Sequence, residues 1–236
     1  MSVVGRGQTY LKEVEAKANQ GDMASQVAVG DAYYFGRGTG VNYRKAEDWY
    51  QKASSQGSGY AAYQIGLEYQ FDHRQPTRGL AHIPYTDPVR NMQFARVFML
   101  QSAELKYGPA FKWMGWYFEE GFRFANATDG SYFEAIEWYR KGADVNDVDC
   151  EFALGRFYEQ GLGVAKDMPL AKRWYGLAAA QGHASAKTRL GLLFDQYGMP
   201  TAECKDHTFS FSHHDSGTCA GHGGVGEWAK DMPQSQ

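Results

Sequence analysis

The chain has 236 residues and a formal charge of −3, from 24 Lys and Arg against 27 Asp and Glu. Hydrophobic residues are 43% and charged residues 22%, a globular balance that excludes a disordered chain. Near-neutrality leaves no electrostatic footprint for nucleic acid, no apolar run approaches the roughly 20 residues that span a bilayer, and three cysteines make no disulfide scaffold.

The stretch from Met1 to Gly7 lacks the apolar region of a secretory signal, which predicts a cytoplasmic protein. A trimmed N-terminus would reopen a periplasmic or exported location. The first predicted element is a helix from Gln8 to Gln20, closed by Gly21. Beyond it the chain is organised by Gly30, Gly66, Gly115, Gly155 and Gly191, spaced by 36, 49, 40 and 36 residues. Five positions before each glycine stands a small residue, Ser25, Ala61, Ala110, Cys150 or Ala186. One position before stands an apolar one, Val29, Ile65, Met114, Leu154 or Leu190. Three positions after stands an aromatic one, Tyr33, Tyr69, Phe118, Tyr158 or Phe194. These offsets trace one stripe of a 3.6-residue helix. A mid-helix glycine costs about 1 kcal/mol of propensity, and the usual return is close approach of a second helix.

The second helix recurs as well. Ala46-x-x-Trp49-Tyr50, Ala95-x-x-Phe98-Met99, Ala135-x-x-Trp138-Tyr139 and Ala171-x-x-Trp174-Tyr175 take equivalent places. Four residues before each alanine lies Asn42, Asn91, Ser131 or Asp167, all favoured N-caps. Gln56-Gly57, Tyr107-Gly108 and Gln181-Gly182 are expected to close these helices. The unit is helix, glycine loop, helix, glycine turn, and stacked pairs of this length predict an all-α solenoid. Cys150, at the small-residue position, is expected in the core.

The unit from Ala153-Leu154-Gly155 through Tyr158, Gly161-Leu162-Gly163, Asp167 and Trp174-Tyr175 to Gly182 closely resembles the Sel1-like repeat family, relatives of tetratricopeptide repeats. The unit from Val29 to Gly57 resembles it almost as well, and the resemblance covers about residues 8–196. It implies a right-handed α-solenoid of helix-turn-helix repeats that binds a protein or peptide on its concave face. The implied roles, often in bacteria, are adaptor or regulator, toxin-neutralising immunity protein, or envelope factor.

Three departures from the repeat are candidate partner sites. The insertion from Asp72 to Arg90 carries prolines and the cations Arg74, Arg78 and His82, and insertions in repeat arrays map to one face. Repeat three has surplus aromatics, with Trp113, Trp116, Tyr117, Phe122 and Phe124 as candidate anchors; the alternative is packing beneath the insertion. The third is a Cys/His/Gly-rich module at residues 197–236, with two basic residues, five acidic residues and four of the seven histidines. Thr208 to Ser212 alternates like a strand.

This tail, with Cys204-Lys205-Asp206, Gly217-Thr218-Cys219 and His222-Gly223-Gly224-Val225, resembles a small uncharacterised bacterial module found in exported proteins. A Cys204–Cys219 disulfide would stabilise it by about 3 kcal/mol and would need an oxidising compartment. Alternatively Cys204, His207, Cys219 and His222 form two Cys-x2-His pairs able to close a tetrahedral zinc site. No other cofactor is expected. The chain has no His-Glu-x-x-His and no glycine-rich phosphate loop after a strand. Glu119-Glu120 reads as a solvated helix end, and the chain is expected not to be an enzyme. The sequence does not specify an oligomeric state.

Overall fold

The computed structural model describes residues 3–71, 88–120, 131–197, 202–205, 209–210 and 225–228. Among them are ten helices: α1 (Val3–Asn19), α2 (Met23–Phe35), α3 (Tyr43–Ser55), α4 (Gly59–Gln70), α5 (Pro88–Glu104), α6 (Gly108–Glu120), α7 (Tyr132–Ala143), α8 (Val148–Gln160), α9 (Met168–Ala180) and α10 (Ala184–Tyr197). Three short strands follow, β1 (Ala202–Cys204), β2 (Phe209–Ser210) and β3 (Val225–Trp228). The fold is the expected all-α solenoid of helix-turn-helix repeats. Contacts run between helices adjacent in the chain, from α1 through α5 and from α7 through α10.

The chain divides into two compact units, residues 1–114 with 120–129, and residues 115–119 with 130–236. In the first unit, Ala46, Tyr50, Ala53, Ala61 and Ile65 form a core cluster. In the second, Ala171, Tyr175, Ala178, Ala186 and Leu193 do the same. Cys150 is fully buried, as its place in the stripe predicts.

The mid-helix glycines admit the second helix. A Cβ added at Gly30 would lie 2.6 Å from the Tyr50 ring, one at Gly66 2.7 Å from Met99, and one at Gly155 2.6 Å from Tyr175. At Gly115 the Tyr139 ring is closer still. At Gly30, Gly115 and Gly155 ring and glycine thus form one joint, in which the missing side chain is the space the ring fills, and at Gly66 the Met99 side chain takes the ring's place. At Gly191 no described atom lies within 4 Å.

Capping follows the sequence with two exceptions. Asn42, Ser131 and Asp167 each accept a hydrogen bond from the backbone N–H three residues on. Their own N–H groups donate to the carbonyls of Tyr33, Phe118 and Tyr158 at 2.8, 2.9 and 2.8 Å. The clasp from Phe118 to Ser131 holds repeat three in register across its longer loop. Asn91, expected as a cap, lies inside α5, because the helix begins at Pro88. Proline suits a first turn, where its missing N–H has no partner to lose. Gly108 is not the closing residue of α5 but the first of α6. The left-handed position there is Lys106, with φ 57°.

The strands form an antiparallel sheet in the order β2-β1-β3. Ala202 of β1 faces Ser210 and Trp228. Cys204 faces Val225, past an irregularity in β1. Strand β2 lies against α9.

Candidate functional site

Of the expected partner anchors, Trp113 is 6% and Tyr117 3% exposed. The Trp113 indole N–H donates to Gln70 Oε1 at 2.8 Å, so its surface packs within the first unit. Both rings are thus buried among the described residues, and most of the insertion that Trp113 was expected to pack beneath lies outside them. Trp116 is half-buried and keeps some surface in solvent. Arg74, Arg78, His82, Phe122 and Phe124 lie outside the described residues. So do His207, Cys219 and His222, and Cys204 is described only as a strand residue. Among the described residues no group of three or more His, Cys, Asp or Glu side chains could hold a metal ion.

A polar side chain recurs four residues after three of the central glycines, at Gln70 in the first unit and as a row of Glu119 and Glu159 in the second. Gln70 accepts the Trp113 indole. In the second unit Glu119 Oε2 accepts the Tyr139 hydroxyl at 2.9 Å and Arg156 Nη2 at 2.6 Å. Glu159 Oε2 accepts the Tyr175 hydroxyl at 2.8 Å and Arg189 Nε at 2.9 Å, and its Oε1 accepts Arg189 Nη2. Each carboxylate joins the tyrosine that fills the glycine joint to an arginine of the next glycine helix. Glu119 is therefore not the solvated edge that the sequence suggests.

The electrostatics follow from this geometry. Burial, then the neighbouring carboxylate, holds the Tyr139 and Tyr175 hydroxyls protonated well above the ordinary tyrosine value. Burial pushes the Glu159 carboxyl up, but the Arg189 and Tyr175 hydrogen bonds outweigh it and leave it below the ordinary glutamate value. Burial would weaken the Arg156 cation, and the Glu119 contact more than restores it.

Next to this row a groove of about 350 Å³ opens between α8 and α10, with Tyr175 of α9 also lining it. Phe152, Arg156 and Glu159 line it from α8, and Arg189 and Leu192 from α10. Gln160, Ser185 and Thr188 complete the lining with short polar groups. The signal for these residues was present as acid or amide side chains recurring at one offset from the glycines. It was masked because their partners lie up to 43 residues away.

Helix pairs locked at mid-helix glycines, with a groove of mixed polar and apolar lining between glycine-bearing helices, define a helical-repeat protein. The Sel1 repeat model matches residues 24–58, 110–147 and 148–183, and the model of a domain of unknown function, DUF3761, matches residues 197–229. The crystal structure of a Sel1 repeat protein from Oxalobacter formigenes is 31% identical, covers 77% of this chain and 68% of its own, and superposes with a TM-score of 0.60. The chain belongs to the Sel1 repeat family. Chitin synthase regulatory factor 3 of Schizosaccharomyces pombe is 35% identical over 135 residues, 56% of this chain. Activator of C kinase protein 1 of Saccharomyces cerevisiae is 36% identical over 75 residues, 30% of this chain. The chain spans only 13% and 12% of these two curated relatives. Among the described residues no helix is long and apolar enough to cross a membrane.

Proposed function

We propose that the chain is a non-enzymatic adaptor or regulator that holds a protein or peptide against the glycine-bearing helices of its repeats. The carrying observation is the groove between α8 and α10, where charged and apolar side chains lie together in one opening large enough for a few residues of extended chain. The names of the fungal relatives, a regulatory factor and an activator, support the same reading. So does the arrangement of the titratable residues. The partly buried Glu119 and the buried Glu159 are engaged by tyrosine and arginine, as structural ties rather than as a poised acid and base.

Trp116 and the cations Arg74, Arg78 and His82, which depart from the repeat pattern in sequence, are expected to contribute to partner binding as well. Cross-linking capture from native extract, followed by mass spectrometry, tests this reading. The wild type is expected to enrich a defined partner, and Trp116→Ala or deletion of residues 74–87 is expected to lower its recovery at least about tenfold, or 1.4 kcal/mol. Recovery unchanged by both variants and by groove substitutions would reject the binding face.

A further inference from the structure

We propose that the groove between α8 and α10 is a site for an acidic peptide, whose carboxylate is held by Arg156 and Arg189 while an adjacent apolar side chain lies on Phe152 and Leu192. The inference deepens the scaffold reading above and rests on it. It starts from a count of donors and acceptors. Both oxygens of Glu159 are engaged, by Tyr175 and twice by Arg189. Glu119 reaches Arg156 through a single Nη2 contact.

A guanidinium has five N–H donors. The Glu119 bond uses one of the five N–H donors of Arg156, and the bonds to Glu159 and Tyr175 leave Arg189 further N–H donors as well. The Ser185 hydroxyl adds another donor at an exposed position. The charged lining is Arg156, Glu159 and Arg189, and Arg156 is also paired with Glu119 outside the opening. With Arg156 paired to Glu119 and Arg189 to Glu159, what remains in the groove is N–H donor capacity, which a carboxylate satisfies and an ammonium group does not.

The apolar lining sets the second half of the ligand. Leu192 is 52% exposed. Phe152 packs partly buried against the core cluster around Tyr175 and stacks on His183. Apolar surface beside arginine donors favours an acidic residue flanked by leucine-like ones over a small free anion. Ties to Glu119 and Glu159 hold both guanidiniums in place before a ligand arrives, which lowers the ordering cost of binding.

Fluorescence anisotropy with the full chain tests the proposal. The probe is a fluorescein-labelled Gly-Ser-Leu-Glu-Leu-Asp peptide with a free C-terminus. One control carries Gln and Asn for Glu and Asp with an amidated end, and a second carries Lys at both acidic positions. The acidic peptide is expected to bind at least about tenfold tighter than either control and to weaken as salt rises from about 0.05 to 0.5 M. Ser185→Glu, an exposed change that adds like charge to the groove, is expected to weaken it by about tenfold. Leu192→Ser is expected to weaken acidic and neutral peptides alike. Equal binding of acidic and neutral peptides, preference for the Lys peptide, no effect of Ser185→Glu, or no binding at about 1 mM would each overturn the proposal. If the wild type still captures a partner in the cross-linking experiment, only the ligand class fails and the scaffold reading stands.

Discussion

Gly155 and Gly191 occupy the same place in the repeat and meet opposite surroundings. A methyl at Gly155 would press into the Tyr175 ring at 2.6 Å, whereas at Gly191 no described atom comes within 4 Å. Gly155→Ala is therefore expected to destabilise by about 1–3 kcal/mol through overpacking, and Gly191→Ala to stabilise by up to about 1 kcal/mol through helix propensity; urea midpoints measure both. Lys106 and Asn146 stand at φ 57° and 59°, where Gly21, Gly57 and Gly182 serve the other turns. Lys106→Gly should raise the urea midpoint, by about 1 kcal/mol of relieved strain. Asn146→Gly should gain less, because asparagine tolerates this conformation. The glycine joints were legible in the sequence because their spacing is periodic. Lys106 was not, since the turn imposes its backbone angle and its side chain carries no mark of it. Glu119 was misread for a related reason: nothing in its immediate neighbours announces Tyr139 and Arg156.

Helices α8, α9 and α10 are joined through Glu159, whose depressed pKa gives the tie a pH dependence with a definite sign. Its stabilisation is present above the unfolded glutamate value of about 4.3 and is lost as pH falls through the lower native value. Glu151 runs the other way. Burial raises its pKa against the Gln181 hydrogen bond, so its contribution is most favourable in acid and declines as pH rises past about 4.3. Glu159→Gln is therefore expected to lower the urea midpoint at about pH 6, and the gap from wild type should narrow toward about pH 3. A constant gap would assign the loss to packing alone. At this scale the sequence placed nearly every helix, since stripe, cap and turn agree. The start of α5 escaped because Asn91 has the right chemistry for a cap, while Pro88 and the helical residues after it continue the same turn upstream.

At the scale of the whole molecule, contacts run between chain neighbours from α1 through α5 and from α7 through α10, so stability within each stretch is expected to follow a nearest-neighbour sum. Far-ultraviolet circular dichroism should report helix well above the globular level of about one third. Hydrogen exchange of the Gly155→Ala variant should quicken in α8 and α9 and leave α2 and α3 unchanged. Repeat architecture and family were legible because the pattern recurs along the chain. The groove was not, because it requires Arg156 and Arg189 on two different helices to line one opening.

The Glu119–Arg156 tie has a consequence for how such a chain can lengthen. Residues 148–183 span one complete repeat, and Arg156 in that repeat reaches back to the glutamate four places past the previous glycine. Glu159 occupies that same place in its own repeat. A tandem duplicate of 148–183 spliced after His183 would set the new copy's Arg156 equivalent against the old Glu159 and its Tyr175 equivalent over its own glycine. The segment behaves as a self-matching tile, so one in-frame duplication could enlarge the array without any compensating substitution.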